Sequence, residues 1–108
     1  MTVLNSAALA RAGRKNKPLR QALDRWLAVT EAADWGSVRD VRTTFPSADG
    51  VNVVCPKGRM VVATVFNIMG NQYRLITVIS YSVRTVVIRE ALSHGEYDRE
   101  RWKARLCQ

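Results

Sequence analysis

The 108-residue sequence predicts an α+β fold: two N-terminal helices packed on a small antiparallel sheet, with a short C-terminal helix. Two patterns carry that prediction. Leu19, Ala22, Leu23, Trp26, Leu27 and Thr30 recur at helical spacing and make one apolar stripe, while Arg20, Asp24, Arg25 and Glu31 fall off it. From residue 51 to 89 the chain is instead dense in Val and Ile, with Pro56-Lys57-Gly58, Gly70-Asn71 and Tyr81-Ser82 as turns between apolar runs. A chain of this length is read as one domain, residues 1–108, with little core to spare.

Taken in order, Thr2-Val3-Leu4 suits a short edge strand. Asn5 or Ser6 can cap a first helix over Ala7–Ala12, and Gly13 suits its end. Arg14 to Lys17 form a basic link, and Pro18 fits the first turn of the second helix. Asp34 or Ser37 begins a short helical turn through Arg39–Arg42, which Pro46 stops. Strands follow at Val51–Cys55, Met60–Asn67, Tyr73–Tyr81 and Val83–Arg89. Both faces of these strands are rather apolar, so helices should cover one face and part of the other. A last helix spans Asp98–Arg105 with Asp98 as its cap. In the last hairpin, a two-residue loop sets Arg89 opposite Ile76, and a three-residue loop sets it opposite Leu75; the pattern leaves both open.

Composition narrows the function. No apolar run approaches the roughly 18 residues of a membrane span. Arg11, Arg14, Lys15 and Lys17 interrupt the N-terminus before any secretory core can form, so the chain reads as cytoplasmic. Cys55 and Cys107 lack metal-ligand spacing and read as two free thiols in preference to a disulfide with each other. The net charge is +8, and no carboxylate lies between Asp49 and Glu90, where Lys57, Arg59, Arg74, Arg84 and Arg89 all stand. A sheet so charged attracts a polyanion by displacing its counterions. A basic face kept for solubility, or an acidic protein partner, fits the same pattern.

The motifs that carry chemistry lie late. Phe66-Asn67-Ile68 is followed by Gly70-Asn71 and Tyr73-Arg74-Leu75; then come the only histidine, His94, with Glu96-Tyr97-Asp98 and Trp102. Together with Ala22-Leu23-Asp24-Arg25-Trp26, Ala32-Ala33-Asp34-Trp35 and Thr44-Phe45-Pro46-Ser47-Ala48-Asp49, they make most of the chain resemble the HigB family of toxins. The chain departs from the family's usual residues at Met69, Gln72, Ser93 and Gly95, and up to Lys17 it matches poorly. The resemblance implies the small fold of RelE-type messenger RNA interferases and ribosome-dependent, metal-independent cleavage of messenger RNA. It also implies no cofactor, and neutralisation by a HigA-type helix-turn-helix antitoxin.

Metal-free RNA cleavage needs a base for the 2′-hydroxyl, a cation for the phosphorane and an acid for the leaving oxygen. Imidazole exchanges a proton near neutral pH, so His94 is a candidate base or acid; a structural imidazole at a strand–helix junction is the plain alternative. Arg74 can fork onto the scissile phosphate, and Tyr97 can stack on a base or donate its hydroxyl. These three are the candidate catalytic residues. Asn71, Tyr73, Arg89, Lys57, Arg59 and Lys103 are candidate RNA contacts, although Tyr73 also suits the core and Gly-Asn is ordinary turn chemistry. Asp98 either orients His94 or caps the final helix, and the cap is favoured. Trp26, Trp35 and Trp102 receive no site role. Two other classes fit the same sequence: a ParE-like toxin that binds gyrase, and a non-catalytic RNA-binding module.

Overall fold

The computed structural model describes all 108 residues. A strand β1 (Thr2–Leu4) precedes three helices, α1 (Ala7–Ala12), α2 (Lys17–Ala32) and α3 (Val38–Thr44). Strands β2 (Asp49–Val54), β3 (Met60–Ile68), β4 (Tyr73–Ser80) and β5 (Thr85–Ser93) follow, then α4 (His94–Asp98) and α5 (Arg101–Leu106). The sheet order is β1-β5-β4-β3-β2. β2 to β5 run antiparallel as a meander, but β1 joins β5 in parallel, so the sheet is mixed where an antiparallel one was expected.

The strand alternation divides the core in two. Phe66, Ile68 and Leu75 share one cluster with Leu9, Leu19, Leu23, Trp26 and Val41 of the helices. Ala63, Val65 and Ile76, one residue out of phase, share the other with Trp102 and Leu106 of α5. Both faces are therefore covered, which accounts for strands that read as nearly continuous Val/Ile runs. Phe66 centres the first cluster: its ring lies 5.2 Å from Trp26 and 5.3 Å from Phe45, both edge-on, and 6.2 Å from Trp35.

The predicted α2 appears with Asn16 as its cap, Oδ1 accepting from Leu19 N at 3.1 Å. α1 has the predicted bounds, but neither Asn5 nor Ser6 caps it through a side chain: Asn5 has φ 67° and donates instead to Ile88 O at 2.9 Å. α3 runs two residues beyond Arg42, to Thr44.

Three expectations are corrected. Neither hairpin register holds, because the loop spans Tyr81–Arg84 and β5 continues to Ser93. Ile76 pairs with Glu90 and Thr77 with Ile88, so Arg89 is the extra residue of a bulge. The bulge resets the alternation: Ile88 stays in the helical cluster, while Leu92 falls into the α5 cluster. The single C-terminal helix is two, separated by Arg99 and by Glu100 at φ 62°, and Asp98 ends the first of them and does not cap the second. Finally, Cys55 and Cys107 are not free thiols but a disulfide. Packing of α5 brings the two Cα atoms to 5.5 Å across a sequence separation of 52, a proximity that spacing along the chain does not reveal.

Candidate functional site

The β3–β4 register sets the floor of the site. Asn67 pairs with Arg74, and Arg74 with Leu92 on β5, so all three share the face that carries α5. Where β5 ends, Ser93 caps α4 in a reciprocal capping box: its hydroxyl accepts from Glu96 N at 3.2 Å, and Glu96 Oε1 accepts from Ser93 N at 3.1 Å. The bond from Ser93 N, together with one that the Ser93 hydroxyl donates to the same Oε1 at 3.0 Å, holds the Glu96 carboxyl below the ordinary carboxylate range. His94 N donates to Gln72 O at 2.9 Å, which anchors the start of α4 on the β3–β4 turn.

This anchoring turns Tyr97 toward Arg74. The guanidinium carbon of Arg74 lies 5.6 Å from the centre of the Tyr97 ring. Tyr97 also stacks on Trp102, centroids 5.3 Å apart and planes 13° from parallel, and accepts the indole N–H at its carbonyl at 3.2 Å. Trp102, 1% exposed, is thus the wall that fixes the phenol. Burial raises the Tyr97 pKa above its ordinary 10.0, the Asp49 charge adding to it against the opposing pull of Arg74 and Lys103. The phenol is accordingly neutral at physiological pH and available as a proton donor. Arg74 donates to the carbonyls of Asn71 and Tyr73, both at 3.2 Å, and to the Asn71 side chain. Asn71 therefore serves as a brace that aims the guanidinium.

Arg74 and Tyr97 line an open cleft with Arg42, Ser47, Asp49 and Asn67. Arg42 donates from Nε to Ala48 O at 3.1 Å and lies 3.6 Å from Asp49. Two guanidiniums against one carboxylate leave the cleft positive, and its openness to solvent suits a chain that threads through it. His94 is not part of its lining; it stands on α4 one turn before Tyr97, with Nδ1 2.8 Å from Asp98 Oδ2 and its side chain 45% exposed. Residues three apart on a helix are neighbours. With Nδ1 held at the carboxylate, Nε2 is the ring nitrogen left without a protein partner. Asp98 is thus the partner of His94, not the helix cap that was favoured.

The remaining candidates are placed elsewhere. Tyr73 points to the opposite face, packed against the helical cluster, where its hydroxyl accepts from Asn16 Nδ2 at 3.1 Å. Arg89 donates to Arg105 O at 3.2 Å at the end of α5. Lys57 and Arg59 occupy the β2–β3 turn, and Arg59 donates to Cys107 O at 2.6 Å. Seven residues of β3 lie between Arg59 and Asn67, roughly 25 Å of extended chain. Lys103 pairs with Glu100 at 2.8 Å, 5.8 Å from the Trp102 ring. Nor is the sheet's positive charge wholly uncompensated, since Asp34 pairs with Arg84 at 2.6 Å.

Arg42 and Asp49 escaped the sequence reading as site residues. Their only signal is proximity to Pro46 and Ser47, and it is the tertiary fold that carries them to Arg74. Asn67 left a better trace: it is the one polar residue in Val65-Phe66-Asn67-Ile68, at a position where an apolar side chain is otherwise the rule.

The family model described as HigB toxin, the RelE-like toxic component of a toxin-antitoxin system, matches residues 19–100. No curated protein matches the chain.

Proposed function

Because the chain belongs to the HigB family of RelE-like toxins, we propose that it is a messenger RNA endoribonuclease, acting on the ribosome and in the cytoplasm to stop translation. Membership of a toxin–antitoxin family implies an antitoxin partner; we take it to be of the HigA helix-turn-helix type. The observation that carries the nuclease reading is the pairing of Arg74 with Tyr97 in a positive cleft, beside a histidine held by its own carboxylate.

In this reading His94 Nε2 removes the proton of the 2′-hydroxyl, and the 2′ oxygen attacks phosphorus. Arg74, aimed by Asn71 and aided by Arg42, stabilises the charge that builds on the phosphorane. The bond to the 5′ oxygen breaks, and the neutral Tyr97 phenol protonates the leaving oxygen. The products are a 2′,3′-cyclic phosphate and a 5′-hydroxyl, and every proton is accounted for without a metal ion.

The test is induced expression of the wild type, Arg74→Ala and His94→Ala, followed by growth and by mapping of transcript 5′ ends. Growth arrest with new 5′ ends inside translated messages is the expected outcome for the wild type. Loss of a phosphorane-stabilising donor costs on the order of 10²–10³ in rate and loss of a general base on the order of 10²–10⁴, so either substitution should abolish arrest. Arrest with intact messages would overturn this reading and favour a gyrase-binding toxin on the same scaffold.

A further inference from the structure

The first 23 residues hold five cations, Arg11, Arg14, Lys15, Lys17 and Arg20, and no carboxylate. The rest of the chain carries twelve cations against nine carboxylates, so most of the net charge of +8 belongs to this opening segment. Folding concentrates it further. Arg14, Lys15, Asn16, Lys17 and Arg20 line one concavity where α1 bends into α2. The bend is tight because Gly13 allows it: a Cβ there would meet Arg20 Cβ at 2.7 Å. Arg20 pairs with Asp24 at 2.9 Å, whereas Arg11, Arg14, Lys15 and Lys17 enter no ion pair. Four exposed like charges on a rigid bend repel one another, and a polyanion relieves that repulsion.

The bend is also tied to the end of the sheet that carries the cleft. Asn16, which caps α2, donates to the Tyr73 hydroxyl at 3.1 Å. Tyr73 pairs across the ladder with Ser93, the cap of the His94 helix. Packed layers lie on the order of 10 Å apart, so an RNA strand that leaves the cleft past the start of β4 and the end of β5 reaches these cations within a few nucleotides. No aromatic side chain lies between Ala10 and Arg20, so the bend offers cations for phosphates and no platform for bases.

We infer that the α1–α2 bend is a second RNA contact, which grips the phosphodiester backbone a few nucleotides from the bond that is cut. It rests on the nuclease reading for what happens in the cleft. The family match begins at residue 19, so Arg11, Arg14, Lys15 and Lys17 lie outside it and Arg20 within it.

The test measures binding of two uncleavable 2′-O-methyl RNAs, a single strand of about 20 nucleotides and a duplex of the same length, over a range of salt concentrations. The proteins are the wild type, the triple variant Arg14→Gln/Lys15→Gln/Lys17→Gln, and a control, Arg25→Gln/Arg39→Gln/Arg101→Gln, with the same loss of charge at exposed positions elsewhere. Each lost phosphate contact lowers the single-strand salt slope by about 0.7. The triple variant should therefore lose about two units of slope and bind roughly a hundredfold more weakly near 0.1 M salt, while the control stays close to wild type. The stronger effect on one RNA identifies the source of the phosphates as message strand or folded RNA. Equal losses in triple variant and control, an unchanged triple variant, or a wild type that binds neither RNA would each overturn the inference. The nuclease reading is decided separately, by the transcript ends. Coincident melting curves for the three proteins exclude misfolding as the cause.

Discussion

At the scale of single residues, the site works by orientation more than by burial. Arg74 is aimed by Asn71 and lies over Tyr97; His94 is turned by Asp98 at 2.8 Å. Each arrangement makes a separable prediction. Tyr97→Phe keeps the ring stacked on Trp102 but removes the proton donor. It should lower the cleavage rate by about 10²-fold with RNA affinity nearly unchanged, whereas Tyr97→Ala should weaken both; single-turnover rates and binding curves tell the two apart. Asp98→Asn leaves the size of the side chain unchanged but removes the negative charge that holds the imidazole through Nδ1. The cleavage rate should drop about tenfold or more, and the acid limb of the pH–rate profile, which the general base governs, should move along with it. A variant with an unaltered profile would reduce Asp98 to a surface ion pair. The histidine and the two motifs were readable in the chain because their residue types are rare and specific. The partner of the histidine was not, because Asp98 suits a cap as well as an orienting carboxylate, and only the break at Glu100 decides between them.

At the scale of elements, α2 and the strands were legible for a local reason: their side-chain periodicity is set by neighbours three, four or two positions away. What escaped was non-local. The sequence reading ends the last strand at Arg89, whereas the alternation breaks there because Arg89 is an inserted residue, not because the strand stops. That distinction can be measured. Arg89→Ala should be tolerated within about 1 kcal/mol, since it removes one exposed hydrogen bond to Arg105 O. Deletion of Arg89 should also leave the fold intact, because Ile88 stays opposite Thr77 and Glu90 opposite Ile76 once the extra residue is gone; circular dichroism of the two purified variants gives the answer, and an unfolded deletion variant would mean that Arg89 is a paired residue of the ladder. The start of α4 makes a pH prediction. The Glu96 carboxyl is held below its ordinary value by hydrogen bonds from Ser93, so its contribution to stability is present above the ordinary carboxylate pKa of 4.5 and is lost as pH falls through the lower folded value. Glu96→Gln should flatten the acid side of the melting temperature against pH, and Ser93→Ala should cost about 1 kcal/mol at neutral pH.

At the scale of the whole molecule, two cores on opposite faces of one sheet have different sources of stability. The helical face is filled by Phe66 and its aromatic neighbours, whereas the α5 face rests on Trp102, Leu106 and the Cys55–Cys107 bond. Closing a loop of 52 residues stabilises the fold by about 4 kcal/mol through the lost freedom of the unfolded chain. Cys55→Ser/Cys107→Ser should accordingly unfold at a lower denaturant concentration, and a reductant should shift the wild type in the same direction but not the variant. The bond has a topological consequence as well. The covalent ring it draws encloses Arg74, His94 and Tyr97, and leaves Arg14, Lys15 and Lys17 on an open tail. The oxidised polypeptide is thus a lasso, with the proposed cutting residues in its noose and the proposed gripping residues on its rope. A single protease nick within the noose frees no fragment until the bond is reduced, while a nick at the bend severs the grip from an otherwise intact cutting half.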